Sequence, residues 1–551
     1  MGTGLSLSLP LPGDRQKAVS DRLPIWVLAP SSNDKRIDTA QRLTRPASAA
    51  VCDDDELRAR LRSLRHEALA QQANLWAALQ ETLATRLGTR PFVAASGREA
   101  ATQVAALCGP SRRVVVNRSA AVQELLPHLT TLGIAVCETY DDQFASPQKA
   151  VQRYWEIVPP EAAAAWGAFA RFQPRPAPTP EVEYVALLGV NAIAAADGTI
   201  CFVQHLNNIG EALARASQVI FLVAANKVVP DAASARLMAQ AMARFGAPVV
   251  TLGVGRRGGG QAVPPSARAL RQDTQVVLLD NGRLDWLDGP FASLFTCIGC
   301  RACAQECPTY PYFSSAAGWT PRDYLAAFLR GEADSLALCT SCGRCGTLCP
   351  LDIDLPALIA RAKSSRPVAL RDKVSSHIET VLQLSSYTAP LSNLVLGNRV
   401  ARGIVEGLTG IDHRRQLPAF HRPTMTPVRP DSRKAVVYYY GCYVNYTDPE
   451  LGRATRHILE HNGYTVIIPP QSCCGVAAFA CGDWRAARRY ARRTLDTLYP
   501  FAVRGLDILV TCPSCGLALQ RHLPYLLGDI PQTQVLAERT REVTALSLIH
   551  I

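Results

Sequence analysis

At 551 residues the chain is too long for one hydrophobic core, and 48% hydrophobic with 19% charged residues is an ordinary globular composition, so three or four domains are expected. Its formal net charge of +12 comes from 58 basic and 46 acidic residues, but only seven of the basic residues are lysines. Arginine is therefore spread throughout, and no arginine-rich block with interleaved aromatics stands out, which argues against nucleic-acid binding. No apolar run reaches about 18 residues, so no transmembrane helix is expected. The opening "MGTGLSLSLPLPGDRQ" lacks a basic n-region and a proper apolar core, so it does not read as a secretory signal. A cytoplasmic chain keeps its thiols reduced. Its 18 cysteines then read as metal ligands or redox groups before disulfides.

Residues 1–50, rich in Pro, Ser and Gly, are expected to be mobile. An α/β domain is expected over 51–288. It starts with a helix behind the acidic run Asp53–Glu56, with Leu57, Leu61, Leu64, Leu75, Trp76, Leu79, Leu83 and Leu87 near helical spacing. From about 91 to 285 short apolar strands follow: "PFVAAS", "RVVVN", "IAVCE", "EYVALLGV", "TICFV", "QVIFLVAA", "PVVTLGV" and "QVVLLDN". Helical candidates at 97–108, 120–132 and 231–245 lie between them, which predicts a largely parallel sheet. "GVGRRG" (Gly253, Gly255, Gly258) fits G-x-G-x-x-G, but Gly259, Gly260, Pro264 and Pro265 follow instead of a helix, so a loop is expected rather than a nucleotide cradle. Cys52, Cys108, Cys137 and Cys201 stand singly and read as ordinary thiols; His205, His377, His413 and His421 lack ligand spacing.

Cysteine density rises in the next segment, 289–365, with "CIGCRACAQECP" and "CTSCGRCGTLCP". Each is C-x2-C-x2-C-x3-C followed by proline. Three thiolates at this spacing grip three corners of a cubane, and the fourth cysteine is carried away to the other cluster. Cys297, Cys300, Cys303 and Cys349 are thus assigned to one [4Fe–4S] cluster, and Cys339, Cys342, Cys345 and Cys307 to a second. Zinc sites use separated pairs rather than this doubled run. "PRDYLAAFLRGEADSLAL" between the motifs predicts a helical two-cluster ferredoxin module.

A helical linker is expected at 366–430; within it 381–410 could lie on a membrane, although its few charges favour packing within the protein. A second β/α pattern, 431–545, carries Cys442 in "YYYGCYVNY", Cys473 and Cys474 in "QSCCG", and Cys512 and Cys515 in "TCPSCG". The outer cysteines end predicted strands, and Gly475 allows a close turn after the pair. Scattered core cysteines would not be placed this way, while zinc remains an option for Cys512 and Cys515 alone.

This spacing with its CCG core resembles the cysteine-rich domain of heterodisulfide reductases and of the iron–sulfur subunits of flavin-dependent dehydrogenases, those of the anaerobic glycerol-3-phosphate dehydrogenases above all. The likeness covers roughly 290–530, including "SRPVALRDKVSSH", "GIDHRRQLPAF" and "GCYVNYTDPELG". It implies a third iron–sulfur site on Cys442, Cys473, Cys474, Cys512 and Cys515, with Cys481 outside the pattern. The α/β half resembles the LUD domain of lactate-utilisation iron–sulfur proteins in "RRVVVNRSAAVQELLPHLTTLGIAVCETYDDQF", "GVNAIAAADGTICFV" and "ASQVIFLVAANKVVPD", with a shifted frame at Asp197-Gly198-Thr199.

The expected fold class is multidomain α/β: a Rossmann-like LUD domain, a helical two-cluster ferredoxin and one α/β CCG half-domain. The resemblance implies electron transfer from an FAD-dependent dehydrogenase subunit, which oxidises lactate, glycolate or glycerol 3-phosphate, towards quinone or a membrane-associated acceptor. No flavin is expected on this chain, which could sit at the inner face of the cell membrane. A heterodisulfide-reductase-like thiol/disulfide subunit is the rival, and a zinc-stabilised interaction protein a third class. After Cys515 only 36 residues remain, short of a second CCG half, and "LSLIHI" (546–551) is what the end of a transposon sequencing adapter encodes. A truncated gene with a non-native tail is therefore expected.

Overall fold

The computed structural model describes residues 23, 25–28, 55–139, 183–203, 209, 212–213, 216–246, 274–304, 306–312, 319–415, 417–423 and 435–550. "PVVTLGV", the Gly253–Gly258 motif, Cys52 and His205 lie outside them. The chain divides into two compact units, Met1–Ala333 with Arg344–Leu355, and Asp334–Gly343 with Pro356–Ile551. The segment expected as one ferredoxin domain is thus shared between them.

In the first unit, β1 (Ile25–Leu28) precedes α1 (Asp55–Ala70) and α2 (Gln72–Leu87), then β2 (Phe92–Ala94), α3 (Gly97–Cys108), β3 (Arg113–Val116), α4 (Ala120–Thr131) and β4 (Ala135–Glu138). There follow β5 (Val185–Gly189), β6 (Ala192–Ala194), β7 (Ile200–Val203), β8 (Gln218–Ala224), β9 (Val228–Val229), α5 (Ala232–Phe245), β10 (Thr274–Leu279) and α6 (Pro321–Leu329). Six strands form a sheet in the order β2-β10-β8-β5-β3-β4, every pair parallel. All five residues of β5 and six of the seven of β8 are buried, as expected for strands covered on both faces. The two-residue period divides them between cores: Val114, Val116, Leu187 and Leu222 pack with Val122 and Leu125 of α4, whereas Val115, Leu188 and Phe221 pack with Trp76, Leu79 and Leu83 of α2.

A second sheet runs β1-β7-β6-β9. β1 falls inside the 1–50 segment expected to be mobile, yet Ile25–Leu28 pairs in parallel with Ile200–Val203. Its four apolar residues, IWVL, are enough to extend an existing sheet edge despite the Pro- and Ser-rich surroundings.

The second unit holds α7 (Leu355–Lys363) from its second residue, then α8 (Leu370–Ser376), α9 (Ile378–Tyr387), α10 (Ala389–Gly397) and α11 (Arg399–Thr409). A β/α layer follows: β11 (Ala435–Tyr439), α12 (Gly441–Tyr446), α13 (Pro449–His461), β12 (Thr465–Ile467), α14 (Val476–Cys481), α15 (Trp484–Ala502), β13 (Ile508–Val510) and α16 (Pro513–Leu517). It closes with α17 (Leu523–Leu527), α18 (Pro531–Arg539), β14 (Thr540–Glu542) and α19 (Val543–His550), so a helix runs through most of the expected non-native tail. The sheet, β12-β11-β13-β14, is wholly parallel. Ala487, Tyr490, Ala491 and Leu498 of α15 cover one face with Tyr439 and Val510, while Val436 and Tyr438 face Val444 and Leu459 on the other.

The linker is helical as expected, but its apolar side chains are not packed away. Leu384, Tyr387, Leu391, Leu394, Val400 and Ile404 are each exposed by 63% or more. No helix among the described residues is long and apolar enough to cross a membrane.

Candidate metal centres

In the first unit the chain leaves β10, makes a short turn at Ala292–Phe295 and enters the first cysteine motif. Gly299 has φ +79°, and its N–H donates to Cys297 Sγ at 3.4 Å. Burial pushes the Cys300 thiol up to about 12, with Cys297 and Cys349 adding to the effect. It pushes Cys349 up to about 11 in the same way, with Cys297 again contributing. Cys303 is raised well above the ordinary value by burial and then by Cys297, Cys300 and Cys345. Three such thiols crowded together resist ionisation unless a cation is shared between them, so the donor set suits an all-sulfur iron site.

That loop is gripped by α/β-domain side chains. Arg65 of α1, fully buried, donates to Thr296 O (2.9 Å), Phe295 O (3.0 Å) and Asn226 O (3.0 Å). Asn226 Nδ2 donates to Cys297 O at 2.9 Å, and Lys227 Nζ donates to Ile298 O. Arg58 reaches Cys349 O at 3.4 Å. Burial lowers the Lys227 ammonium to about 8, against the pull of Cys297.

Cys307 and Cys345 lie in the first unit, and Cys339 and Cys342 in the second. Lys363 Nζ, within the second, donates to Cys339 O (3.0 Å) and to Ala480 O (2.6 Å).

The second unit gathers the remaining expected ligands. Cys442 follows β11, Cys473 and Cys474 follow β12, and Cys512 and Cys515 follow β13. From β12 the chain passes over β11 to β13, so all five sit beyond the carboxyl ends of three neighbouring strands at the sheet's switch point, where open α/β sheets bind ligands. Cys442 Sγ donates to Cys473 Sγ at 3.8 Å, and Gly475 N–H points at the same sulfur from 3.5 Å. Thiol hydrogen bonds from Cys442 and then Cys474 hold Cys473 well below the ordinary thiol range. Cys512 is lowered to about 6, chiefly by its bond with Cys515. Cys515 itself is raised by its bonds to Cys474 and Cys512, which links all five sulfurs in one chain of contacts.

The backbone around them is braced. Glu379 of α9 accepts from Cys473 N at 2.7 Å; Tyr439 O–H donates to Ser472 O at 2.6 Å. Gln471 accepts from Tyr440 N (3.1 Å) and donates to Tyr438 O (2.7 Å). Five convergent thiols fit a sulfur-ligated iron cluster. Cys481 stands apart: it ends α14, and burial followed by Asp372 raises its thiol. Cys108 and Cys201 are buried thiols, raised to about 11 and about 12 chiefly by burial.

Comparison with known proteins matches two segments of the chain. Residues 293–353 match the 4Fe-4S dicluster domain, and residues 436–520 match the cysteine-rich domain CCG. The chain is an iron–sulfur protein. The clustered cysteines of the two matches support multiple clusters. A subunit of anaerobic glycerol-3-phosphate dehydrogenase from Escherichia coli is 29% identical over 192 residues, 32% of this chain and 48% of the relative. A probable glycolate oxidase iron–sulfur subunit from Bacillus subtilis is 24% identical over 278 residues, 43% of this chain and 61% of the relative. A subunit of the dihydromethanophenazine:CoB–CoM heterodisulfide reductase from Methanosarcina acetivorans is 25% identical over 269 residues, 43% and 59% of the two chains. The chain thus spans about half to three-fifths of these curated relatives. No solved structure matches it. Relatives of this kind, iron–sulfur subunits of dehydrogenases and reductases, support an electron-transfer role.

Sequence reasoning missed Arg65, Asn226, Lys227, Lys363, Gln471 and Glu379. A signal existed for two of them: Lys227 and Lys363 are among seven lysines in an arginine-rich chain. Lysine in place of the prevailing arginine marks a site that needs a compact point charge.

Proposed function

We propose that this chain is the electron-transfer subunit of a flavin-dependent dehydrogenase complex. The observation that carries the reading is the convergence of five thiols at three strand ends in a chain that also holds a dicluster domain. Cys297, Cys300, Cys303 and Cys349 would hold one [4Fe–4S] cluster, and Cys339, Cys342, Cys345 and Cys307 the second. Cys442, Cys473, Cys474, Cys512 and Cys515 would hold a third iron–sulfur centre. Such clusters supply one-electron transfer, with potentials set by charge, hydrogen bonds and exposure.

In this reading an FAD-bearing partner oxidises a 2-hydroxy acid to the 2-oxo acid, or glycerol 3-phosphate to its ketone. Two electrons and two protons leave the substrate, and a quinone accepting both becomes a quinol. The chain's own residues fix the ligand loops: Arg65, Asn226 and Lys227 in the first unit, Gln471, Tyr439 and Glu379 in the second. The α/β half is assigned as LUD-like on its three matching stretches. The exposed apolar side chains of α9–α11 support a peripheral position on the membrane holding the quinone.

The rival reading, thiol/disulfide chemistry at the five-cysteine centre, is favoured by the likeness to the heterodisulfide reductase. A flavin dehydrogenase gene beside this one supports the first reading; genes for hydrogenase-linked disulfide reduction support the second. The direct test is EPR with redox titration on anaerobically purified protein, wild type against Cys473→Ser. Two ferredoxin-type signals are expected to survive and a third, distinct signal to disappear. Zinc with little iron or labile sulfide would overturn the iron–sulfur assignment altogether.

A further inference from the structure

Four consecutive backbone carbonyls, Phe295 to Ile298, lead into the first cysteine motif, and all four are taken by side chains of the α/β domain. Arg65 holds the first two, Asn226 the third and Lys227 the fourth. Arg65 also donates to Asn226 O at 3.0 Å, which joins the three into one network. Its guanidinium is fully buried, and Asn226 is 2% exposed. A loop could be anchored by neutral donors or by its own backbone. This one is anchored by two cations.

Their position matters more than their bonds. A Cβ at Gly299 would lie 3.0 Å from Lys227 Nζ, so the ammonium sits directly against the turn between Cys297 and Cys300. Arg322, 5% exposed, is a further buried cation whose charge is felt with that of Cys297. A four-iron cluster on four thiolates is net anionic and gains another negative charge on reduction. Fixed positive charge in a buried setting therefore favours the reduced form.

We propose that the α/β domain sets the potential of the first cluster, with Lys227 and Arg65 as positioning residues that fix the Phe295–Ile298 carbonyls and place positive charge beside the Cys297–Cys303 thiols. The inference rests on the iron–sulfur reading above. It gives the domain a task that needs no ligand of its own: it makes the cluster on Cys297, Cys300, Cys303 and Cys349 easier to reduce than its ligand set alone would.

The test uses the full chain, purified anaerobically, with iron and sulfide content, EPR and a redox titration for each variant. Cys342→Ala removes a ligand of the second cluster and Cys473→Ser one of the third centre, and together they identify the signal belonging to the first. Lys227→Gln keeps a hydrogen-bond donor but removes the charge, and Lys227→Arg restores it. In Lys227→Gln the one-electron reduction constant of the first cluster is expected to fall by about tenfold, equivalent to about 59 mV. In Lys227→Arg it is expected to stay within threefold of wild type, and the other signals to stay unchanged in both. An unshifted first cluster at full iron content overturns the proposal, as does an equal shift of every signal. Selective loss of the first cluster's iron in Lys227→Gln, with the first cluster unshifted in Arg65→Gln, also overturns it, because the residues then act only as a clamp. A wild-type protein without iron would instead sink the iron–sulfur reading, a result distinct from all of these.

Discussion

Gly441 has φ +70°, and a Cβ built there would lie 3.0 Å from Cys515 Sγ. Gly475, after the cysteine pair, has φ +81°, with its missing Cβ 2.8 Å from Tyr490 Cβ. Both are therefore glycine for two reasons, a left-handed backbone and a close approach. They differ in what a methyl group would strike. At Gly475 it meets the base of a side chain on α15, so strain spreads into the core. At Gly441 it meets a proposed ligand sulfur. Gly441→Ala is expected to cost about 1–3 kcal/mol from backbone strain and to displace Cys515. Iron analysis should show the third centre depleted while the eight ferredoxin-type cysteines keep theirs. Full iron at all sites would mean that Cys515 has room to move. The eight ferredoxin-type cysteines were legible because their spacing is local, and the other five through a family resemblance, whereas these glycine contacts pair residues 74 positions and 15 positions apart.

Helices and strands carry a different kind of constraint, seen where α4 meets the turn after β10. Glu124 accepts from Asn281 Nδ2 at 2.8 Å and pairs with Arg283, itself 1% exposed, while Arg330 lies 3.5 Å away. Asn281 Oδ1 in turn accepts from Gly97 N at 3.0 Å, which ties α3 to the same turn. Burial works to raise the Glu124 carboxyl, but Arg283 and Arg330 outweigh it and hold it down to about 2. A carboxyl lowered on folding contributes stability that is present above its unfolded pKa, about 4.3, and lost as pH falls through the folded value. Glu124→Gln leaves Arg283 buried without its partner and is expected to cost the first unit about 3–5 kcal/mol at neutral pH. Denaturant melts of this unit between pH 5 and pH 3 should then show a shallower loss for the variant than for wild type; parallel curves would exclude Glu124 as the source. Of these elements, β5, β8 and β10 were readable as continuous apolar runs, and 97–108 as a helix from its patterning. The four residues of β1 were not, because only pairing with β7 makes them a strand. Exposure of Leu391 and Leu394 was not readable either: helical periodicity marks an apolar face without saying whether anything covers it.

For the molecule as a whole, the question is how far the folded state depends on iron. Two described cores of the first unit are built from aliphatic and aromatic residues such as Val115, Leu188, Phe221 and Leu278, with no proposed ligand among their members, although Cys345 of that unit is buried. In the second unit, by contrast, Cys473 and Cys515 belong to the main core beside Tyr439 and Phe479. Without iron, burial leaves thiols such as Cys300 and Cys349 neutral at pH 7, so no cluster of bare thiolates forces the first unit open, whereas in the second unit Cys473 and Cys512 are lowered. What is lost is the cross-linking of the ligand loops through the metal. Anaerobic chelation is therefore expected to leave far-UV circular dichroism largely intact. Hydrogen exchange should quicken at 297–303, 473–476 and 512–516, while β5, β8, β11 and β13 stay protected. The loss should extend further into the second unit than the first, since two of its proposed ligands are core residues. Reloading with iron and sulfide should be faster at pH 8 than at pH 6, because raised thiols must give up protons to bind. Uniform loss of protection on chelation would show instead that the strands themselves depend on the metal.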